Sequence, residues 1–124
     1  MSENVLKIGI MSREDYKQRT IAIARGTYTP KRNEPKIWFE SLQSMAQVLS
    51  SENQRLLRLI MDEHPQSLKE LEELTGRTSS NLSRTLKTMA HYGIVELEKH
   101  KRRLVPKVKT SDFRVEFGIR QQSH

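Results

Sequence analysis

The run from Ser67 to Val108 constrains the fold most, because sharp breaks divide it into pieces with different apolar spacing. Ser67 is followed three residues later by Glu70, the spacing of a capping box that opens a helix. Gly76 then supplies a residue that suits a tight turn, and a second helical pattern begins at once. The sequence therefore predicts two helices joined by a short turn, with the first helix packing inward through Leu68, Leu71 and Leu74.

The second helix of this pair separates apolar from polar residues. Leu82, Leu86 and Met89 recur at intervals of four and three residues and predict its buried face, and Gly93 predicts its end. At 100° per residue the polar side chains fall on the opposite face or at its margin. These are Ser80, Asn81, Arg84, Lys87, Thr88 and His91. Arginine can bond to guanine and asparagine to adenine, so this face suits the major groove, although a solvated face is the ordinary alternative.

The residues after Gly93 predict a β-hairpin. IVELE alternates apolar and polar residues, KHKRR forms a basic turn, and LVPKV returns as a second strand with a proline that an edge strand tolerates. A hairpin directly after two helices of this kind has the layout of a wing, and a solvated turn is the alternative. Its basic tip would consist of Lys99, Lys101, Arg102 and Arg103.

The charge of the chain is concentrated in the same region. The formal net charge is +7, and residues 77–109 hold nine Lys/Arg against two Asp/Glu, which is a surplus equal to the whole net charge. A basic balance of this size favours an anionic partner such as nucleic acid or a lipid surface. The 124 residues suit one compact domain with short appendages.

Several classes of protein are disfavoured by the same sequence. With no cysteine there is no disulfide or thiolate metal site, and the apolar stretches are far shorter than the ~20 residues that cross a bilayer. The start of the chain lacks the pattern of a secretory signal, so we expect a cytoplasmic, nucleoid-associated protein. The four histidines lack metal-ligand spacing, and no phosphate loop or G-x-S-x-G nucleophile motif occurs. We therefore expect no enzyme activity, no metal and no cofactor.

The rest of the chain predicts flanking elements. VLKIGI reads as a strand, Ser12 and Asp15 cap a helix that stops at Gly26, and TYTPKRNEP is an extended connector. KIWF is a strand in which Trp38 and Phe39 are more often core than base-stacking residues. Two helices follow, the first capped by Ser41 with Leu42, Met45, Val48 and Leu49 on one face. The second is capped by Ser51, with Gln54 at capping-box distance and a buried stripe of Leu56, Leu57, Ile60 and Met61.

These elements predict an α+β fold, mostly helical, with short N- and C-terminal strands. We divide the chain into an N-terminal strand–helix arm for dimerisation or partner binding (1–35), a DNA-binding domain (36–109), and a C-terminal strand and tail (110–124). The predicted core is Leu56, Ile60, Leu71, Leu74, Leu82, Leu86 and Met89.

The run from Leu42 to Val108 resembles the winged helix-turn-helix of MarR-like and ArsR-like transcriptional regulators, in which a recognition helix ends in a glycine followed by a hydrophobic strand. SREDYKQRTIAIARG and EPKIWFESLQSMAQVLS also resemble a group of prokaryotic DNA-binding proteins, some of them associated with toxin–antitoxin gene pairs. The cysteine ligands common in ArsR-type metal sensors are absent, and so are the longer terminal helices usual in MarR proteins. The candidate DNA-binding residues are Arg77, Thr78, Ser79, Ser80, Asn81, Arg84, Lys87, Thr88 and His91 in the turn and helix, and Lys99, Lys101, Arg102 and Arg103 in the wing.

The resemblance implies a sequence-specific duplex-DNA-binding regulator, a repressor that acts as a homodimer on a two-fold operator. One alternative is an antitoxin-like protein that binds a toxin or another protein through residues 1–35 and autoregulates through the winged helix. Another is a winged-helix RNA-binding or assembly subunit. Two apolar-rich terminal segments, one or both of which we expect to build the dimer interface, contain Val5, Leu6, Ile8 and Ile10, and Phe113, Val115, Phe117 and Ile119.

Overall fold

A computed structural model describes residues 5–119, and within them the fold is α+β with five helices and five strands. The predicted class is therefore confirmed, and 46% of the described residues are helical. Residues 1–4 and 120–124, which include His124, lie outside the described part. The elements are β1 (Val5–Ile10), α1 (Arg13–Ala24), β2 (Ile37–Phe39), α2 (Leu42–Val48), α3 (Ser51–Glu63), α4 (Leu68–Thr75), α5 (Ser79–His91), β3 (Val95–His100), β4 (Arg103–Val108) and β5 (Asp112–Glu116).

Contacts divide the described chain into two compact units. We call residues 46–111 the helical unit, and residues 5–45 together with 112–119 the sheet unit. These limits differ from the sequence division at 35/36 and 109/110, chiefly because β2 pairs with β1 and so joins the N-terminal segment. No helix among residues 5–119 combines the length and apolar character that a membrane span requires.

The sheet unit is built on a three-stranded parallel sheet in the order β2-β1-β5. β1 is the central strand, with Ile8 opposite Ile37 on one side and Val115 on the other. Parallel strands need a crossover between them, and α1 with the connector after it supplies the one from β1 to β2. The two terminal segments expected at a dimer interface thus pair with each other inside one chain.

The ends of α1 follow the sequence prediction. The Ser12 hydroxyl accepts a hydrogen bond from the Asp15 N–H at 3.2 Å and caps the helix. Gly26 has φ of +76°, the left-handed conformation that ends many helices and that glycine adopts without strain. A capped start and a glycine stop therefore fix this helix at both ends.

A charged cluster ties α1 to the connector. Arg19 forms an ion pair with Glu34 at 2.6 Å, and the Tyr28 hydroxyl donates a second hydrogen bond to the same carboxylate. The Arg19 guanidinium lies 5.2 Å from the ring centroid of Trp38 and 5.8 Å from that of Tyr28, within cation–π range. Burial raises the pKa of Glu34, but the hydrogen bonds from Tyr28, Arg19 and the Lys31 N–H outweigh it and lower that pKa to about 2.

The helical unit packs α3, α4, α5 and the β3–β4 hairpin around one apolar core. Six of the seven predicted core residues are buried, and the hairpin adds Ile94, Val95 and Val105. Leu74 is the exception, with 43% of its surface exposed. On a helix Leu68 and Leu74 lie about 60° to either side of Leu71, so only Leu71 occupies the centre of the buried stripe.

Other sequence predictions for the central helices were wrong in detail. Met61 was expected in the stripe of α3, but it lies about 90° from the centre of that stripe and is exposed. None of the α2 residues is fully buried. Of the two aromatic residues expected in the core, Phe39 is buried and Trp38 is half-buried. Ser50, not Ser51, caps α3, and its hydroxyl accepts from the Asn53 N–H. The side chain of Asn53 also donates a hydrogen bond to the Val48 carbonyl, at the junction between α2 and α3. The cap of α3 therefore lies one residue earlier than expected.

Candidate nucleic-acid interface

The turn between α4 and α5 is built as the sequence predicted. Ser67 caps α4 through the Glu70 N–H, and Gly76 ends that helix with φ of +77°. Thr78 then caps α5, because its hydroxyl accepts from the Asn81 N–H at 3.2 Å. Two residues, Arg77 and Thr78, therefore separate the glycine from the first turn of α5.

α5 has two opposed faces. Leu82, Leu86 and Met89 are completely buried against the core of the helical unit. The other face is open to solvent and carries most of the residues predicted to bind DNA. Its exposed members are Ser79, Ser80, Asn81, Arg84, Lys87, Thr88 and His91.

Some predicted site residues bond within the protein. Arg77 is half-buried and donates a hydrogen bond from Nη1 to Asn53 Oδ1 at 3.2 Å, which joins the turn to α3. The Thr78 hydroxyl serves the cap, and the Thr88 hydroxyl donates to the Arg84 carbonyl at 3.0 Å. Within residues 5–119, by contrast, Arg84 and Lys87 form no ion pair. The free cations of this helix thus lie in the middle of its exposed face.

The hairpin separates paired from unpaired charges along its length. Lys107 on β4 pairs with Glu98 at 3.2 Å, and Lys109, just beyond β4, pairs with Glu96 at 3.8 Å. His100 also contacts Glu98, and the hydrogen bonds from His100 and Lys107 hold the pKa of that carboxyl below its usual value. Both acidic side chains of the hairpin, Glu96 and Glu98, are therefore engaged by a basic residue.

The tip of the hairpin is different. His100 pairs with Arg103, so Lys101 and Arg102 form a two-residue turn, and Lys101 has φ of +60°. All four predicted wing residues are exposed, and none of them forms an ion pair with any other residue between 5 and 119. They are Lys99, Lys101, Arg102 and Arg103. The tip therefore presents uncompensated positive charge.

The sequence analysis missed residues of α3 next to this region. Asn53 anchors Arg77, and its role was hidden because the two residues are 24 positions apart. Arg55 and Arg58 line a surface cavity of about 570 Å³ together with Arg77, but Glu52 and Asp62 line it too. The polar face of α3 is the one signal that could have indicated these residues. Across residues 5–119 no three His, Asp or Glu side chains cluster as metal ligands would.

The fold and this region define an α+β protein in which two capped helices meet at a glycine turn and a β-hairpin with a basic tip follows. More narrowly, the chain belongs to the HVO_A0114 family, whose model matches residues 48–115, more than half of its length. That range includes both α5 and the hairpin. Comparison with curated proteins and with solved structures finds no match.

Proposed function

We propose that this chain is a sequence-specific, duplex-DNA-binding transcriptional regulator and that residues 46–111 act as a winged helix-turn-helix. The observation that carries the proposal is the distribution of compensated charge. Lys107 and Lys109, towards the open end of the hairpin, are paired with Glu98 and Glu96, whereas the cations at or next to the tip and on the exposed face of α5 have no acidic partner within the described chain. A helix face and a hairpin tip that both carry unpaired, solvent-exposed cations favour a polyanionic ligand.

α5 has side chains suited to reading bases in the major groove. Arg84, in the middle of the exposed face, can form two hydrogen bonds to guanine, and Asn81 can do so to adenine. Ser80 and Lys87 add further bonds to bases or phosphates. Because Thr78 and Arg77 are held by the protein itself, their role is to fix the first turn of the helix, and they bind DNA only through the groups left free.

The hairpin tip is suited to holding the backbone. Lys101 and Arg102 occupy the turn, where long side chains can follow phosphates or enter the neighbouring minor groove. A single module contacts few base pairs, so useful specificity calls for a homodimer on a two-fold operator, and occupation of a promoter would repress transcription. Nothing in this mechanism requires a cofactor.

The test compares ligands that differ only in nucleic-acid form. The purified full chain is titrated against duplex DNA, duplex RNA and single strands of one sequence, and the genomic duplexes that it retains are then sequenced. We expect the tightest binding to duplex DNA and enrichment of a two-fold symmetric motif. Duplex binding together with capture of a toxin would support the antitoxin-like alternative, which also regulates through the winged helix. Preference for RNA would support the RNA-binding alternative, and absence of binding to any nucleic acid would mean that the basic surface has another role. Either result would overturn the proposal.

A further inference from the structure

β5 is an edge strand with exposed apolar side chains. It pairs with β1 on one side only, at the end of the order β2-β1-β5. Val115 is 40% exposed, and Phe117, one residue beyond the strand, is 56% exposed. Edge strands that stay unpaired are usually protected by proline, a bulge or a run of charge, and β5 has no proline and alternates apolar with charged residues. An edge of this composition is suited to receiving another strand.

The two faces of β5 differ in chemistry. Side chains alternate along a strand, so within β5 Phe113 and Val115 share one face, while Arg114 and Glu116 share the other. Phe117 follows the strand directly, and it would join the first face if an added strand extended β5 by one residue. Glu116 lies 3.5 Å from Lys7, and Arg114 is exposed and forms no ion pair among the described residues. A strand added to this edge must therefore match apolar residues on one face and charged residues on the other.

We propose that a second copy of this chain adds its own β5 to this edge, antiparallel and centred on Val115. Two identical strands related by a two-fold axis run antiparallel, and the residue on the axis faces its own copy. With Val115 on the axis, Phe113 faces Phe117 of the second copy, and Arg114 faces its Glu116. Both pairs occur twice. From 113 to 117 every opposed pair is then apolar with apolar or positive with negative, and Asp112 faces Gly118.

Other registers match less well. A shift by one residue places apolar side chains opposite charged ones, because the side-chain period of a strand is two. Centring on Arg114 opposes two arginines and also sets Asp112 against Glu116. Centring on Phe113 keeps an Asp112–Arg114 pair but sets Val115 against Ser111 and leaves Phe117 outside the pairing. The pattern of β5 is thus self-complementary in one register above the others.

This proposal rests on the proposed function and extends it, since the assembly supplies the two-fold dimer that an operator requires. Its test, however, needs no DNA. One strand per subunit makes a small interface, so we expect a dissociation constant in the micromolar range or weaker. Sedimentation of the full chain from about 1 to several hundred micromolar measures it. A protein that remains monomeric throughout would overturn the proposal.

Charge-reversed variants test the register. In an Arg114→Glu dimer both Arg114–Glu116 pairs become Glu–Glu pairs, and in a Glu116→Arg dimer both become Arg–Arg pairs. We therefore expect the dissociation constant of each variant dimer to be roughly ten-fold higher than that of the wild type, or more. Mixing the two variants restores both opposite-charge pairs, and we expect the heterodimer to return to within about three-fold of the wild type. Equal dimerisation of the single variants and their mixture would contradict the register.

A cysteine probe supplies an independent measurement, because the chain has no other cysteine. In Val115→Cys the two thiols face each other with Cα atoms about 4.5–5.5 Å apart, inside the disulfide range, and mild oxidation should give a covalent dimer. Phe113→Cys is the matched control. Its two thiols would lie four residues out of register, roughly 13 Å apart, and should not cross-link. Cross-linking through position 113 in preference to 115 would contradict the register centred on Val115 and support the one centred on Phe113.

These experiments separate the interface from the proposed function. Arg114→Glu leaves α5 and the hairpin untouched, so its monomer should still bind random duplex DNA. If the chain dimerises as described but binds no duplex, the function is wrong and the interface stands. If it binds duplex but V115C gives no covalent dimer and the charge variants behave as the wild type, the interface is wrong and the function stands.

Discussion

At the scale of single residues, Glu34 links the fold of the sheet unit to pH. The pKa of its carboxyl is about 2 in the folded protein, against a usual value of 4.5. A carboxyl with a lowered folded-state pKa contributes stability above the usual value, and that stability is lost as the pH falls through the folded-state value. We therefore expect the free energy of unfolding of this unit to decline between pH 4.5 and 2.

Substitution of Glu34 isolates this contribution. Glu34→Gln keeps the shape of the side chain but removes the charge that Arg19 and Tyr28 contact, so we expect a loss of about 1–3 kcal/mol at pH 7. The difference from wild type should shrink as the pH falls from 4.5 to 2, as followed by denaturant unfolding at each pH. Glu14→Gln, on the exposed first turn of α1, is the control and should cost under about 1 kcal/mol. A constant difference across that range would exclude Glu34 as the source.

The sequence could predict which residues of the candidate site are exposed, but it could not predict which of them form hydrogen bonds to other parts of the chain. The exposed positions of Ser80, Arg84 and Lys87 follow from the helical period and the buried leucines opposite them. The bond from Arg77 to Asn53 joins two helices and has no local signal. The sequence likewise gives no sign that Lys101 adopts positive φ, where glycine or asparagine is the usual choice in a two-residue turn.

At the scale of elements, α4 shows that an apolar pattern predicts a helix but not the burial of each apolar residue in it. The spacing of Leu68, Leu71 and Leu74 correctly predicts a helix, yet Leu71 is completely buried while Leu74 is largely exposed. A short helix that packs through one side buries the centre of its stripe and leaves the margins partly open. The extent of burial therefore depends on the neighbouring elements, which the pattern of one helix does not contain.

Two alanine substitutions on α4 turn this contrast into a prediction. Leu71→Ala removes methyl groups from a closed core and should lower the free energy of unfolding by about 2–5 kcal/mol. Leu74→Ala is the matched control, and because its side chain is 43% exposed we expect a loss below about 1 kcal/mol. Urea denaturation of both variants measures the difference. Equal losses would mean that the last turn of α4 is packed more tightly than described.

At the scale of the whole molecule, local signals predicted the elements but not their assembly. Caps, glycine stops and the alternation of IVELE fixed most element types and the hairpin. The parallel pairing of β1 with β5 joins residues more than a hundred positions apart, and such pairing leaves no periodic trace in a single sequence. For the same reason β2 was assigned to the wrong neighbours, and the edge presented by β5 became visible only once its partner was known.

The proposed division between reading bases and holding phosphates determines how variants should behave. Arg84→Ala should cost roughly 1–3 kcal/mol per half-site on the preferred duplex and relax selectivity at one base position, with little effect on scrambled DNA. For the wing we choose Lys101→Gly with Arg102→Ala, because glycine tolerates the positive φ at position 101. Lys107→Ala with Lys109→Ala removes the same number of charges from the same hairpin, but from existing ion pairs.

The salt dependence of duplex binding by these proteins tests the central claim most directly. Affinities of the wild type and the three variants are measured for the preferred and scrambled duplexes at several salt concentrations, with circular dichroism as the check on folding. Each lost phosphate contact lowers the log–log slope by about 0.9, so the tip variant should lose roughly 3–4 as a dimer on both duplexes, and the Lys107/Lys109 control much less. If the tip variant keeps the wild-type slope and Arg84→Ala keeps the wild-type discrimination, α5 and the hairpin do not bind DNA.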